Sequence, residues 1–423
     1  MSRLKSYCRL LRDILLMPIA LVFPRNRKKI VFGAWFGRQF AGNSKYLLKY
    51  ILDRGGYTCI WVGDELIRGI VETNEPRVRF VRKDSWLAWW HLFTAKIIVN
   101  NINLEEDFGR FPHYQRALIL NTDHGVVNKR CGVTALQGNG RQRTTFHSSS
   151  RLRTLAHNTW VTFADFVYGE HAWGSTSSVA QRDLIAINTY PGRYLRTDRK
   201  GPCRLMTKGQ PCEDFLIHNK SNEVLKQTIK AKYAKLFGVS PDKRWYLYVP
   251  TWRHADGVPF TFVKSHRLED YNRVLEAQNA VLIDKEHPKT LEKVSMAGGL
   301  YGSIYVVSPE MSIQVDIQEL MLVCDRLISD YSTIYYDYGV LKRPIIEWTF
   351  DYDFMATQDF GLEFDLREYA PGPFAYTEDE LLKLLGQTDE ELLASRTAKF
   401  ESHIDCEKGE ACEAYYQLIK ERT

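Results

Sequence analysis

The sequence predicts an α/β protein of two domains, each built on a doubly wound parallel sheet. Short apolar runs alternate with amphipathic stretches from Ile30 onward, which is typical of strand–helix–strand units. The chain has 423 residues, more than a single hydrophobic core usually serves. Polar clusters follow several predicted strands directly. We therefore expect ligands to bind outside the carboxyl ends of the strands, in a cleft between two facing domains.

Residues 1–29 are predicted to associate with a membrane surface. The apolar run at 14–23 has ten residues, whereas a spanning helix needs about 20. Lysines and arginines flank the run on both sides, and no small-residue cleavage site follows it, so a secretory signal is not expected. The cations would face anionic lipid. A helix packed on the protein's own core is the alternative.

The first domain is predicted for residues 30–214. Its strands are expected at residues 30–33, 57–62, 78–81, 96–100 and 117–121. Helical spacing of apolar residues is found at 43–53 and 85–95. The stretch 189–214 is rich in Pro, Gly, Arg and Lys, so the linker to the second domain is expected there or just beyond.

The second domain is predicted for residues 215–423. Its strands are expected at residues 245–249, 281–284, 304–307, 327–329 and 344–348. Its helices are expected at residues 222–237, 315–324 and 332–341. The last segment, 378–423, is expected to form helices on the outside of this domain.

An aromatic group within the helix predicted at 85–95 has two interpretations. Trp86, Trp89, Trp90 and Phe93 lie at helical spacing. Such a group can form a surface for an acceptor or a membrane, or it can pack into the core. The sequence leaves both interpretations open.

Composition and missing motifs narrow the class of protein. The eight cysteines are scattered without a CxxC pair, so we expect reduced thiols in a cytosolic protein. Net charge is +6, and basic residues cluster at 141–153, but no nucleic-acid-binding module accompanies them, so no nucleic-acid partner is predicted. The sequence has no Walker-type loop, no GxGxxG after the first strand and no HExxH. We therefore predict no cofactor and no metal.

His124 is the candidate catalytic residue of the first domain. It lies between Asp123 and Gly125 in a turn that follows the strand ALILNT. An imidazole can take a proton from an attacking hydroxyl, and glycine allows a ligand to approach the backbone closely. Asp123 would orient the ring or cap the turn. Taken alone, this pattern favours a turn histidine with a structural role.

Three polar clusters follow strands of the second domain. Thr251 and Arg253 follow WYLYVP, and Lys285 and His287 follow VLID. Arginine binds phosphate bidentately, and a lysine beside a histidine suits an anion whose charge grows in the transition state. Exposed basic loops are the alternative.

The third cluster follows the strand RLIS. Asp330 begins it, and Ser332 and Thr333 stand where a helix is expected to start. A helix start offers backbone amides to phosphate, while serine and threonine are also ordinary N-cap residues. Asp330 is expected either near the donor or as a support for the loop.

The ordered motifs NTDHGVVNK, YVPTWR, KEHP and LISDYSTIYYDYGVLKRPIIEW, followed by GLEFDLREYAPGPF, resemble the CDP-glycerol glycerophosphotransferase family of teichoic-acid and capsule synthesis. The resemblance extends over residues 30–385. It implies a GT-B-like fold with two Rossmann-like domains, and a peripheral location on the cytoplasmic face of the bacterial membrane. It also implies transfer of a polyol phosphate from a CDP-polyol to a lipid-linked or polymeric glycan acceptor, with release of CMP.

Carried over by position, the resemblance assigns roles to the candidate residues. It makes His124 the general base and His287 a second catalytic residue. It assigns contacts with the donor phosphates to His287, Arg253, Ser332 and Thr333. Thr251, Lys285 and Asp330 join the donor-binding group by their positions. A nucleotide-sugar glycosyltransferase is the first alternative, because the same fold serves both reactions. A membrane protein that has lost the active site is the second.

Overall fold

The structure is a computed structural model. It describes residues 15, 18–19, 21–102, 104–109, 116–126, 128–130, 170–188, 203–253, 259–286, 297–357, 359 and 361–423. These residues form two compact units. The first contains the described residues up to His124, those at 170–212, and Gly409–Thr423. The second contains the described residues at 125–126 and 128–130 and those of Glu213–Lys408.

A seven-stranded parallel sheet forms the centre of the first unit. In chain order its strands are β1 (Asn26–Phe32), β2 (Thr58–Gly63), β3 (Arg79–Arg82), β4 (Ala95–Asn100), β5 (Leu118–Asn121), β6 (Glu170–Ser175) and β7 (Cys203–Thr207). Their order across the sheet is β3-β2-β1-β4-β5-β6-β7, which is the doubly wound arrangement. The order reverses between β1 and β4, whose carboxyl ends therefore border a natural ligand crevice.

Five helices of the described residues lie between these strands in the chain, and a sixth follows β7. They are α1 (Gly42–Arg54), α2 (Arg68–Asn74), α3 (Trp86–Thr94), α4 (Leu104–Phe108), α5 (Val179–Asn188) and α6 (Pro211–Asn219). The side chains of β1 and β4 are almost completely buried on both faces of the sheet from Ile30 and Ile97 onward. Continuous apolar runs such as IIV are the expected signature of strands covered by helices on both faces.

The second unit has the same winding. In chain order its strands are β8 (Arg244–Tyr248), β9 (Ala280–Asp284), β10 (Gly299–Tyr301), β11 (Ile304–Val306), β12 (Arg326–Ser329), β13 (Ile345–Trp348) and β14 (Phe374–Ala375). Their order across the sheet is β10-β11-β9-β8-β12-β13-β14, and only β10 is antiparallel to its neighbour. The order reverses between β8 and β12, so ligands are expected at the carboxyl ends of those two strands.

Ten helices follow α6 along the described chain. They are α7 (Glu223–Phe237), α8 (Leu268–Ala277), α9 (Pro309–Ser312), α10 (Ile317–Val323), α11 (Ile334–Gly339), α12 (Tyr352–Thr357), α13 (Glu378–Leu385), α14 (Asp389–Leu393), α15 (Ala398–Asp405) and α16 (Ala411–Arg422). No helix of the described residues is long and apolar enough to cross a bilayer.

The predicted α/β class with two parallel-rich sheets is confirmed. The bounds of the predicted strands and helices agree with observed ones to within two residues, except that β1 begins at Asn26, four residues before the predicted start. A boundary between the two units, at Cys212 and Glu213, lies inside the stretch where the linker was expected. Two details of the chain's course differ from the prediction. Cys203–Thr207, inside the expected linker, is the edge strand β7 and pairs with β6. Residues 189–202 lie outside the described residues.

The last helix is the second correction. The segment 378–423 was expected to cover the second domain, but α16 belongs to the first unit. Tyr415, Leu418 and Ile419 pack into the core formed by β1, β2 and α1. A hydrogen bond joins Tyr50 to Glu413. Helical periodicity shows which face of α16 is apolar, but not which sheet that face covers.

Candidate active site

His124 lies just beyond the carboxyl end of β5, as predicted from the sequence. Its imidazole is about half exposed, and Nδ1 is 3.1 Å from Asp123 Oδ1 and 3.3 Å from the carbonyl oxygen of Asn101. Both neighbours of Nδ1 are acceptors, so this nitrogen carries the proton of the neutral ring. The lone pair is then on Nε2, where a general base needs it.

The predicted orienting role of Asp123 has a clear geometry. Its Oδ1 also accepts the backbone N–H of His124 at 2.7 Å, and its own N–H donates to Asn121 Oδ1. Asp123 has a φ of 55°, in the left-handed region that non-glycine residues seldom occupy. Strained backbone of this kind is concentrated at functional sites. The carboxylate therefore shapes the turn and faces the ring that the turn carries.

A second strained turn follows β1 and faces the same histidine. Trp35 and Phe36 have φ values of 48° and 62°. Trp35 N–H donates to Asn101 Oδ1, and Phe36 N–H donates to Asp107 Oδ1. The indole of Trp35 meets the His124 ring edge-on at 5.7 Å between centroids. Trp35 therefore forms one wall beside the candidate base.

Asp107 holds this turn from beneath. It is completely buried, and its Oδ2 accepts the backbone N–H groups of Asn101 and Ile102 at 3.0 Å each. Burial raises the pKa of Asp107, while the backbone N–H groups that donate to it oppose that shift. The carboxyl group thus joins the β1 turn to the end of β4, at the strand reversal of the first sheet.

Asn43 fixes the backbone of the histidine turn from the other side. Its Nδ2 lies 3.0 Å from the carbonyl oxygen of Thr122 and 2.9 Å from that of Asp123, and its Oδ1 accepts the N–H of Cys212. Asn43 is 1% exposed. A buried amide with these partners limits movement of the turn that carries His124.

Arg253, predicted to bind donor phosphate, lies in an internal ion network of the second unit. It is 3% exposed, and its Nε and Nη2 donate to the two oxygens of Asp351 at 2.7 and 3.0 Å. Its Nη1 donates to Asp330 Oδ2 at 2.8 Å and to the carbonyl oxygen of Thr251. Burial acts to lower the pKa of Arg253, but the two carboxylates outweigh burial and raise it.

Asp330 and Thr251 belong to the same hydrogen-bond network as Arg253. Asp330 is 1% exposed, and its Oδ1 accepts the N–H of Thr251 at 2.8 Å. The described contacts of Asp330 and Arg253 therefore brace the loops that follow β8, β12 and β13. Direct contact of Arg253, Asp330 or Thr251 with a donor phosphate stays a prediction.

The last residue of β9 and the loop that follows it carry three buried ionisable groups, Asp284, Lys285 and Glu286. Burial raises the pKa of Asp284 to about 8 and that of Glu286 well above its usual range, and the nearby Asp284 and Asp330 raise the pKa of Glu286 further. Among the described residues, neither the Asp284 nor the Glu286 side chain has a hydrogen-bond partner. Two neutral carboxyl groups would not repel a diphosphate from this loop.

The side chain of Lys285 lies beside Ser312. Its Nζ is 3.3 Å from Ser312 Oγ, and the residue is 8% exposed. Burial lowers the pKa of Lys285 to about 8, and Asp316 opposes the shift. The amine therefore keeps most of its charge at neutral pH, as its predicted donor-binding role needs. His287, the second predicted catalytic residue, lies outside the described residues.

Ser332 and Thr333 precede the six-residue helix α11 and are both partly buried. Thr333 is the N-cap residue, but its side chain makes no capping hydrogen bond. The Oγ of Ser332 lies 3.5 Å from the N–H of Ile334, at the limit for a hydrogen bond. The expected side-chain cap is therefore wrong for Thr333 and marginal for Ser332. Their contact with donor phosphate stays a prediction.

Gly125 belongs to the second unit and touches this loop. A Cβ at Gly125 would lie 2.1 Å from Thr333 Oγ1, and its φ is 155°. Three residues later, Asn128 Nδ2 donates to the carbonyl oxygen of Tyr331 and to Tyr335 Oη, both at 3.0 Å. The glycine is thus needed for close packing against Thr333, in addition to the ligand approach predicted from the sequence.

Sequence reasoning missed four residues that shape these sites. Asn101 and Asp351 follow the buried strands β4 and β13, so the rule that found His124 applies to them too. Trp35 and Asn43 lie in and after the turn that follows β1. Their roles depend on contacts with residues 66 to 169 positions away, which no local pattern shows.

The described residues contain no group of three His, Cys, Asp or Glu side chains that could hold a metal ion. In the first unit the described side chains include a candidate base, His124, with a carboxylate beside its ring. In the second unit they include a charged lysine and a braced set of loops. Such groups suit a transfer reaction that depends on positioning and electrostatics.

Comparison with known proteins decides the family. Residues 15–421 match the family described as CDP-Glycerol:Poly(glycerophosphate) glycerophosphotransferase. The chain belongs to this family. The predicted glycerophosphotransferase identity and the enzyme class are therefore confirmed, and the glycosyltransferase alternative is not favoured.

Individual relatives agree with this membership. The chain is 25% identical over 390 residues to the teichoic acid poly(glycerol phosphate) polymerase of Bacillus spizizenii (strain ATCC 23059 / NRRL B-14472 / W23), with 89% of each chain covered. It is 23% identical over 401 residues to the teichoic acid glycerol-phosphate transferase of Staphylococcus aureus (strain NCTC 8325 / PS 47), with 93% of each covered.

Among solved structures, the chain is similar to the wall teichoic acid polymerase TagF. The TM-score is 0.71 at 18% identity, over 99% of this chain and 97% of that chain. At this level of identity the likeness concerns the fold alone. It agrees with the two parallel-rich sheets of this glycerophosphotransferase and with the predicted GT-B-like class.

Proposed function

We propose that this glycerophosphotransferase moves glycerol phosphate, or a related polyol phosphate, from a CDP-activated donor to a hydroxyl of a lipid-linked or polymeric glycan acceptor in teichoic acid or capsule synthesis. The family match and the teichoic-acid relatives support this assignment. The observation that carries the mechanism is the pair of acceptors around Nδ1 of His124, which leaves Nε2 as the basic nitrogen.

The reaction is a displacement at the β-phosphorus of the donor. His124 Nε2 takes the proton of the acceptor hydroxyl, and the acceptor oxygen bonds to the β-phosphorus. The bond from that phosphorus to the bridging oxygen breaks, and CMP leaves with its electron pair. Asp123 stabilises the imidazolium that forms, because its carboxylate faces Nδ1–H.

The second unit supplies the donor side of the proposal. Lys285, His287, Ser332 and Thr333 would contact the donor phosphates. Arg253 and Asp330 would keep the loops that carry these groups in place, as their internal hydrogen bonds indicate. No part of this mechanism is assigned to a metal ion.

We further propose that the enzyme is peripheral to the cytoplasmic face of a bacterial membrane. The cations that flank the apolar run at 14–23 support an association with anionic lipid. The teichoic-acid relatives, all bacterial, are consistent with this location.

The test is CMP release from CDP-glycerol by purified full-length protein, with and without a membrane lipid acceptor. We expect His124→Ala to lower acceptor-dependent release by about 10²- to 10⁴-fold, the usual contribution of a general base. His266→Ala is the matched control, because His266 is largely exposed and its described ion-pair contact is to Glu378, at 3.9 Å. An unchanged rate in His124→Ala would exclude His124 as the base.

The nucleotide preference tests the donor. CMP and CDP should raise the melting temperature of the protein, whereas UDP and GDP should not. Stabilisation by UDP or GDP alone would overturn the CDP-linked donor and restore the nucleotide-sugar alternative.

A further inference from the structure

Helix α1 of the first unit begins in a buried place without a side-chain cap. It starts at Gly42, and its N-cap residue, Ala41, makes no side-chain capping hydrogen bond. The first turn contains no acidic residue, and Asn43 and Ser44 are 1% and 0% exposed. The first N–H groups of a helix have no intrahelical acceptor, so a buried helix start is normally satisfied by a side chain, water or a ligand. The helix dipole makes an anion the favoured ligand.

Two side-chain N–H groups lie against the same helix start. A Cβ at Gly42 would be 2.8 Å from Trp35 Nε1 and 3.4 Å from Asn101 Nδ2. Asn101 is completely buried, and its Oδ1 accepts the N–H of Trp35 at 2.9 Å. The other end of the amide, Nδ2, is therefore the end that faces Gly42.

Two of the buried polar atoms at this helix start lack a partner. In the described part of the chain, neither Asn101 Nδ2 nor Ser44 Oγ forms a hydrogen bond. Buried polar side-chain atoms in folded proteins nearly always have a partner. The amide nitrogen of Asn101 can only donate, as can the backbone N–H groups that begin α1. Donors that meet at one place without an acceptor indicate a site for an anion.

Positive side chains near the helix start also favour an anion. Lys45 directly follows Ser44 and is 2% exposed. Lys83 Nζ donates to the carbonyl oxygen of Phe36 at 2.9 Å, in the turn that contains Trp35. A cation near the start of a helix is disfavoured by the helix dipole, and a bound anion offsets both positive charges.

The candidate base is a direct neighbour of this place. The carbonyl oxygen of Asn101 is 3.3 Å from His124 Nδ1, and the indole of Trp35 is 5.7 Å from the His124 ring between centroids. The nearby carboxylates already accept hydrogen bonds, Asp107 from three backbone N–H groups and Asp123 from the N–H of His124. An anion at the start of α1 would therefore lie beside the base.

We propose that the start of α1, together with Trp35 Nε1, Asn101 Nδ2 and Ser44 Oγ, binds the phosphate of the acceptor's terminal polyol phosphate unit. We call this set the helix-start site. Helix N-termini bind phosphate through their backbone N–H groups and the helix dipole. In a terminal polyol phosphate only the polyol carbons separate the attacking hydroxyl from the phosphate, so a site for that phosphate has to adjoin the base. This inference rests on the proposed function and names the acceptor chemistry of that site: an anionic end rather than a neutral sugar.

The donor is a second source of phosphate, because its β-phosphorus also has to approach His124. The proposed donor contacts Lys285, Ser332 and Thr333 belong to the second unit. Every residue of the helix-start site belongs to the first unit. We therefore assign the site to the acceptor phosphate, and kinetics in which each substrate is varied in turn separates the two sources.

The experiment measures CMP release by full-length protein while a water-soluble glycerol phosphate oligomer and CDP-glycerol are varied in turn. Asn101→Asp keeps the Oδ1 acceptor for the N–H of Trp35 but replaces the N–H donor with a second carboxylate oxygen. We expect it to raise the KM for the oligomer at least about tenfold, as for loss of a hydrogen bond to a charged group, with little change in the KM for CDP-glycerol. Ser44→Ala and Trp35→Phe should each raise the oligomer KM by about three- to tenfold.

Two controls accompany these variants. Glycerol has the attacking hydroxyl but no phosphate, so CMP release with glycerol as acceptor should be the same in wild type and in the three variants. Tyr246→Phe is the matched control variant, because it removes a hydroxyl that is also buried without a described partner, but in the second unit. It should leave both KM values unchanged.

Several results would overturn the proposal. A wild-type oligomer KM in both Asn101→Asp and Ser44→Ala would leave water as the occupant of the site. A raised KM for CDP-glycerol alone would make the donor phosphate the occupant. Equal losses with the oligomer and with glycerol would mean that the base, and not a phosphate site, was disturbed. If Asn101→Asp lowers the melting temperature, Ser44→Ala decides, because Ser44 Oγ makes no hydrogen bond among the described residues.

Binding without turnover separates this inference from the proposed function. Glycerol 3-phosphate should raise the melting temperature of wild type more than that of Asn101→Asp. If no protein, including wild type, releases CMP but this difference persists, the helix-start site stands and the proposed reaction fails. If there is no CMP release and glycerol 3-phosphate stabilises both proteins equally or not at all, both proposals fail.

Discussion

Replacing Arg253 tests whether the second unit depends on its internal ion network. Arg253→Ala removes four hydrogen bonds and leaves Asp330 and Asp351 in a poorly hydrated environment without their counter-charge. Removing one partner of a buried ion pair typically costs about 3–5 kcal/mol. Asp351 retains some exposure, 15% of its side chain, so we expect the lower half of that range, about 3 kcal/mol.

Urea unfolding of full-length protein measures this loss. Because the chain has two compact units, unfolding is followed for separate transitions, and the transition of the second unit should move. Arg244→Ala is the control. Arg244 pairs with Asp389 through side chains that are 32% and 42% exposed, so solvent screening limits its loss to about 1 kcal/mol or less.

A double-mutant cycle identifies the partner. Arg253→Ala combined with Asp351→Ala should cost less than the sum of the single changes, because each single change strands a charge that the double change removes. If Arg253→Ala left the unfolding free energy unchanged but weakened CMP binding, the network would not be structural. Arg253 would then be the donor ligand that its position in the sequence suggests.

Three further predictions concern single sites. Gly125→Ala should destabilise the second unit by about 1–3 kcal/mol in urea unfolding, because its Cβ would collide with Thr333, and Thr333→Gly should restore part of the loss. Gly238→Ala, with no atom within 4 Å of the added Cβ, should cost less. Burial lowers the pKa of His403 to about 4. As pH falls below about 6.5, this histidine is therefore protonated in the unfolded chain before it is protonated in the folded chain. The free energy of unfolding should then fall by about 1.5 kcal/mol between pH 6.5 and 5. A pH profile of urea unfolding that is equally steep in His403→Phe would contradict this. Asp107→Ala should cost about 2–3 kcal/mol and lower CMP release, because three backbone N–H groups lose their acceptor; an unchanged melting temperature would refute it.

The candidate site was predictable where local rules apply. His124 and the loops after β8, β9 and β12 were found because polar residues follow buried strands directly, and parallel strands bring their carboxyl ends to one edge of a sheet. The same rule would also have identified Asn101 and Asp351, which follow β4 and β13. It does not distinguish a side chain that faces solvent from one that is enclosed, so Arg253 was expected at a phosphate and is found between two carboxylates.

The sequence by itself determined the fold class, the positions of the strands and helices that it predicted, and the turn that carries His124, the candidate base. These features depend on hydrophobic periodicity and on residues close together in the chain. Only the tertiary structure decided that α16 packs in the first unit, that β7 lies within the expected linker, and that Trp86 and Trp90 face outward. Each of these depends on which apolar surface finds a partner, and that partner is distant in sequence.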